Sequence, residues 1–152
     1  MRIGLISDTH GLLRPEAVRA LAGVAQIIHA GDVGGREVIE GLHSIAPVHA
    51  VCGNNDRDAW AMKSLPPRLS LDIAGVHVLV LHDLNELDPE AQTNGYRVVV
   101  TGHSHKPLVV ERNGTLFVNP GSAGPRRFQL PITLGYLTIA QGSAKAEIRN
   151  LA

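Results

Sequence analysis

Cysteine appears once, at Cys52, in a chain of 152 residues, so no disulfide can close within it. A chain without that crosslink suits a reducing, cytoplasmic setting. Aromatic residues make up only 3% of the chain against 44% apolar residues, which leaves a core of Val, Leu, Ile and Ala. Lysine is confined to Lys63, Lys106 and Lys145, and the formal net charge is zero, with no block of like charge. That balance gives no broad electrostatic attraction to nucleic acid or to an anionic membrane. No apolar run reaches the roughly 20 residues that a membrane-spanning helix needs. The apolar stretch after Met1 meets Asp8 too soon for a secretory leader. The expectation is one soluble domain over residues 1–152, able to bury a core. A neutral surface with an antiparallel edge leaves room for a homo-oligomer.

What is present in excess is histidine, at eight positions. Two of them end Val98-Val99-Val100-Thr101-Gly102-His103-Ser104-His105. Three β-branched apolar residues suit a strand buried on both faces. On extended backbone, His103 and His105 would project to the same side. The rest of the chain repeats this form. Strands are predicted at 2–7, 26–30 and 47–52, alternating with helices at 15–22 and 36–44, the pattern of a parallel sheet. A helix over 57–64 with Asp56 as its cap follows, then a hairpin of 69–73 and 76–81. Another helix is predicted over Leu87–Thr93, with a strand over 97–101 after it. Asn113-Gly114 marks a type I′ turn between 108–112 and 116–119. Two last strands cover about 132–139 and 145–151, so the second half reads as rich in antiparallel pairing.

Five strand ends carry metal-capable residues: Asp8-x-His10, Gly31-Asp32, Gly53-Asn54, His82 and Gly102-His103-x-His105. Carboxylate, imidazole and amide oxygen suit Mn, Fe, Zn or Ni, and the lack of thiolates argues against a structural zinc knot. Each residue alone has an ordinary explanation as a turn or cap residue, or as a satisfied core histidine. Their joint placement favours a shared site. Seven ligands are too many for one ion, but with one bridging carboxylate they serve two ions at four ligands each.

Taken in order, these motifs resemble the calcineurin-like metallophosphoesterase superfamily. The Ser7-Asp8-Thr9-His10 opening and the Asn119-Pro120-Gly121-Ser122 turn are similar to its small single-domain phosphodiesterase branch. The resemblance covers residues 3 to about 125. It implies an α/β fold, a four-layer αββα sandwich of mixed sheets flanked by helices, with the site at the strand ends. It also implies that Asp8, His10, Asp32 and His105 hold one divalent ion, and Asp32, Asn54, His82 and His103 the other. Mn²⁺ is expected first, with Ni²⁺, Fe²⁺, Zn²⁺ or Mg²⁺ as alternatives. Asp32, Asn54 and His103 are then the residues closest to catalysis. The implied activity is hydrolysis of a small phosphodiester by a hydroxide bridging two ions, whose coordination brings the pKa of bound water towards about 7. Alternatives are a phosphomonoesterase, a nucleotide pyrophosphatase, or a non-catalytic interaction scaffold such as the retromer subunit that shares the fold.

Two positions depart from the family pattern. Larger members carry a histidine directly after the Gly-Asn pair, proposed as proton donor to the leaving group. Here Asn55 stands there and cannot serve as an acid. Asp83 follows His82 where the family has glycine, and is expected to face solvent. Ser104 lacks the second glycine of a nucleophile elbow, and Gly31–Gly35 lacks the Lys-Ser/Thr of a P-loop. Cys52 reads as packing, and Arg126 and Arg127 as a solvated loop. His29, His43, His49 and His77 read as surface or sheet residues.

Overall fold

Runs of Val, Ile and Leu punctuated by Gly and Asp produce ten strands among the described residues, 1–87 and 95–151 of a computed structural model. In chain order these are β1 (Arg2–Ile6), β2 (Gln26–His29), β3 (Val48–Ala50), β4 (Arg68–Ile73) and β5 (Val76–Leu81), then β6 (Val98–Val100), β7 (Leu108–Arg112), β8 (Thr115–Asn119), β9 (Thr133–Ala140) and β10 (Ser143–Asn150). Helices α1 (Pro15–Ala20), α2 (Arg36–His43) and α3 (Ala59–Ser64) lie between the first strands, and a 3₁₀ turn covers Leu84–Glu86. The helix expected over Leu87–Thr93 falls on residues 88–94, outside the described residues.

The strands form two mixed sheets, ordered β10-β9-β1-β2-β3 and β4-β5-β6-β8-β7. In the first, β1, β2 and β3 are parallel and β9 and β10 add an antiparallel edge. The second half of the chain is less antiparallel than its sequence suggested, because β6 pairs in parallel with both β5 and β8. Val98, Val99 and Val100 make β6 the middle strand of its sheet, fully buried. Val98 and Val100 face the other sheet, while Val99 packs outward.

The space between the sheets is aliphatic: Ile3, Leu5, Ile28 and Ala30 meet Val78, Val80, Val98 and Val100. Each Val, Leu or Ile side chain here contributes roughly 1.5–3 kcal/mol on burial. Ile6, Leu21, Leu42 and Leu134 fill the layer between the first sheet and the helices. The outer face of the second sheet carries Leu79, Leu81, Val99 and Leu87, with Leu84 of the 3₁₀ turn against them. No helix among the described residues is long and apolar enough to cross a membrane.

One expected cap is reassigned. Asp58, not Asp56, caps α3, its carboxylate accepting from the Ala61 amide at 3.1 Å. The Asp56 carboxylate is buried and accepts from the Val33, Gly34 and Gly53 amides at 3.0, 3.1 and 2.9 Å. Three amides lacking other partners would cost about 1–3 kcal/mol each if left unmet, which outweighs one helix cap. Asp56 therefore ties together the loops after β2 and β3.

Candidate metal centre

The carboxyl ends of β1, β2 and β3 and those of β5 and β6 meet at one edge of the two sheets, the position where open parallel sheets bind ligands. The loops after β1 and β2 run as a pair, with amide-to-carbonyl bonds from Asp8 to Gly31, His10 to Asp32 and Gly11 to Val33 at 3.0, 2.9 and 2.8 Å. Asp8 is fully buried. Its Oδ2 accepts from Ser7 Oγ at 2.7 Å and from the His103 amide at 3.1 Å. Its Oδ1 has no hydrogen-bond partner. That oxygen lies 3.4 Å from His105 Nε2 and 3.8 Å from both His10 Nε2 and His82 Nε2.

Asp32 is fixed by Asn55, whose amide donates to Oδ1 at 2.9 Å and whose side chain donates to Oδ2 at 3.3 Å. Oδ2 also lies 3.2 Å from His82 Nε2 and 3.7 Å from His10 Nε2. His82 donates its Nδ1 proton to the Ala30 carbonyl at 2.7 Å, which aims Nε2 at the two carboxylates. His103 sits at the mouth, half exposed, donating from Nδ1 to Asn54 Oδ1 at 3.2 Å, with its ring edge-on to His82. Asp83 is not turned to solvent as expected. It caps the 3₁₀ turn through the Asn85 amide and lies 3.7 Å from His103 Nε2.

The protonation of the cluster follows from this crowding. Burial pushes the Asp8 carboxyl up, against the Ser7 hydroxyl and the neighbouring imidazoles. Burial also opposes charge on Asp32, yet His82 and the Asn55 amide outweigh it and hold Asp32 at about 2. His82 is raised to about 9: burial alone would lower it, but Asp32, Asp8 and the Ala30 carbonyl prevail. Burial draws His105 down, with Arg127 adding to the effect against the pull of Asp8.

These residues fit a cation. Asp8 Oδ1, His10 Nε2, His82 Nε2 and His105 Nδ1 are all buried without a hydrogen-bond partner. Unmet buried polar atoms cost about 1–3 kcal/mol each, and three of these converge: His10 Nε2 and His82 Nε2 each lie 3.8 Å from Asp8 Oδ1, while His105 turns its other nitrogen, Nε2, towards that oxygen. Asp8, His10 and His105 form one group whose ligand atoms lie within 4.8 Å of one another, and Asp8, Asp32 and His82 form a second. Asp8 is common to both groups, and Asp32, to which the resemblance gave the sharing role, also reaches a histidine of each, His10 at 3.7 Å and His82 at 3.2 Å. Asn54 and His103 meet each other beside the second group, and His103 lies outside both.

The backbone carries the same signal. Asp8, His10, Asp32, His103 and His105 all take positive φ, at 56°, 46°, 54°, 72° and 63°. For residues other than glycine this conformation is uncommon and clusters at functional sites. It also corrects the expected geometry of His103 and His105. The ladder ends at Val100, and the two rings reach the site from left-handed loop backbone rather than from one face of a strand.

Sequence reasoning missed His29, which is fully buried on β2. Its Nδ1 accepts from the Gly31 amide at 3.1 Å, so its Nε2 proton goes to Thr9 Oγ1 at 3.0 Å, and Thr9 donates on to the Val33 carbonyl at 2.7 Å. A histidine inside the apolar run Ile27-Ile28 was the available signal. Burial lowers its pKa from 6.5 to about 4. Below pH 6.5 the unfolded chain therefore takes up a proton that the folded chain refuses. The contribution of His29 to stability is full above that pH and is lost, by about 3 kcal/mol, as pH drops towards 4. Urea unfolding of the chelated protein should show this slope between pH 7 and 4.5, and His29→Gln should flatten it. An unchanged slope in the variant would assign the effect elsewhere. Cys52 is partly buried against the helix layer, its thiol 3.1 Å from the Asp56 carbonyl, in keeping with packing.

A family model for the calcineurin-like phosphoesterase superfamily domain matches residues 1–142. A probable metallophosphoesterase of Methanothermobacter thermautotrophicus is 35% identical in an alignment 136 residues long that covers 80% of this chain and 77% of that one. An archaeal phosphodiesterase of known structure superposes with a TM-score of 0.81 at 25% identity, over 98% of this chain and 100% of that one. Vps29 of Chaetomium thermophilum superposes with a TM-score of 0.79 over 98% of this chain and 94% of that one, and at 19% identity the likeness is one of fold alone.

Proposed function

The chain belongs to the calcineurin-like phosphoesterase superfamily, and from that premise we propose that it is a metal-dependent phosphodiesterase. In this reading residues 1–152 form one catalytic domain that works in the cytoplasm with two divalent ions, Mn²⁺ first among them. The observation that supports it best is the convergence of three buried, unpartnered atoms, Asp8 Oδ1, His10 Nε2 and His82 Nε2, at one sheet edge. The similarity to an archaeal phosphodiesterase favours diesters over monoesters.

Asp8, His10 and His105 would hold one ion, and Asp32, His82, Asn54 and His103 the other, with a carboxylate shared between them. When bound, the ions supply positive charge for the phosphoryl oxygens and lower the pKa of coordinated water. The chain's own residues set the stage. Ser7 and the His103 amide orient Asp8, Asn55 orients Asp32, and the Ala30 carbonyl fixes the His82 ring so that Nε2 faces inward. Such supporting contacts typically change metal affinity 10–100-fold. Asn55 is thus an anchor for Asp32 rather than an acid. Protonation of the leaving group then falls to water, and good leaving groups are favoured. Arg126 and Arg127 are solvated as expected, but they line the cleft beside His10 and His105, where guanidinium groups draw in an anionic ester.

The test is to strip the protein with a chelator, reload it with Mn²⁺ and compare bis(p-nitrophenyl) phosphate with p-nitrophenyl phosphate. The diester should be hydrolysed faster, and chelation should remove the activity. Faster monoester hydrolysis would replace the diester reading. Hydrolysis of neither would favour the scaffold.

A further inference from the structure

A second cleft opens immediately beyond the metal centre. It has a volume of about 610 Å³, within the range of small-ligand sites. His103 forms its inner wall, Lys106 and Arg127 line it, and Phe128 and Leu130 give it an apolar side. Arg127 also lines the smaller cleft against His10 and His105, so one guanidinium borders both spaces. Among the described residues, no carboxylate lines either cleft.

Phe128 is the odd residue. Its side chain is 87% exposed and its φ is 54°, a left-handed conformation that is an outlier for a bulky residue. Folding is served by neither feature: the ring buries almost nothing, and the backbone bears strain. An exposed aromatic face beside a cationic cleft is what a planar π-system linked to phosphate requires. One ring offers a protein partner little apolar surface to bury, whereas stacking needs only one face.

We propose that this cleft binds the base of a nucleoside phosphodiester, Phe128 stacking on the base while Arg127 holds the phosphate towards the metal centre. The reacting phosphate rests on the phosphodiesterase reading; the base subsite does not.

Phe117 and Phe128 are the only phenylalanines, so phenylalanine-labelled protein gives two assignable ring signals with an internal control. With Mg²⁺ keeping the sample diamagnetic, adenosine 5′-monophosphate should shift the Phe128 ring and leave Phe117 in place, and ribose 5-phosphate should move neither. In the Mn²⁺ enzyme, thymidine 5′-p-nitrophenyl phosphate should show a KM about tenfold below that of methyl p-nitrophenyl phosphate. Phe128→Ala should erase that difference and Phe128→Trp restore it. An unmoved Phe128 signal, an equal shift with the sugar phosphate, or a KM ratio indifferent to Phe128→Ala would overturn the proposal. If no ester is hydrolysed at all, the catalytic reading fails, and the ring shift still decides the subsite.

Discussion

Asp8→Asn is expected to abolish the response of the protein to divalent metal. At Mn²⁺ about a hundredfold above its dissociation constant, each bound ion stabilises the native state by about 2.7 kcal/mol. For a chain of this size two ions should raise the melting temperature by about 10 °C or more. The variant should show no rise, because the unpartnered Oδ1 common to both ligand groups is replaced or neutralised. Its amide oxygen can still accept from Ser7 and the His103 amide, so the loop stays in place. It also removes a carboxylate that burial disfavours. The metal-free variant should therefore melt no lower than the metal-free wild type, while hydrolysis falls about a thousandfold, the loss of about 4 kcal/mol of charge stabilisation. Thermal melting with and without Mn²⁺, beside a diester assay, checks both halves. A wild-type metal shift in Asp8→Asn would remove Asp8 from the centre.

Gly53→Ala should fail in the opposite way. A Cβ at Gly53 would overlap the Asp32 carboxylate and the Asp32 backbone nitrogen. The loops after β2 and β3 are held in contact by Asp56 and cannot separate without losing its three amide bonds. Overpacking of this kind costs about 1–3 kcal/mol, so the metal-free protein should melt lower than wild type. Displacing Asp32 should also lower hydrolysis at least about a hundredfold, roughly 2.7 kcal/mol. Asp8→Asn spares the fold and removes the site; Gly53→Ala damages both. Wild-type melting and turnover in Gly53→Ala would show that the two loops do not need this close approach. Gly102 stands in the same relation to Ser7 and Asp8.

The strand ends were readable because each apolar run stops at a glycine or a polar residue. That alone places Asp8, Asp32, Asn54, His82 and Gly102 at one end of their strands. Sheet order was not readable. β6 is equally apolar on both faces, and no local feature says that it lies between β5 and β8. The left-handed backbone at His103 and His105 was missed for a related reason. It is set by the Gly102 amide bonding the His82 carbonyl and the His103 amide bonding Asp8, contacts remote in sequence. Asp56 looked like a cap because local rules score it against the helix that follows, whereas its partners lie on loops brought in by the fold. Phe128 stood between polar neighbours with no periodicity to mark it. Only its exposure and its φ give it meaning.

The most direct measurement is a titration of chelated protein with Mn²⁺, following bound metal by equilibrium dialysis and diester hydrolysis in the same samples. Binding should saturate at two equivalents per chain, and turnover should rise with occupancy to a plateau there. Hydrolysis that ignores the chelator, or a chain that binds two equivalents and cleaves no phosphoester, would contradict a metal-dependent phosphodiesterase.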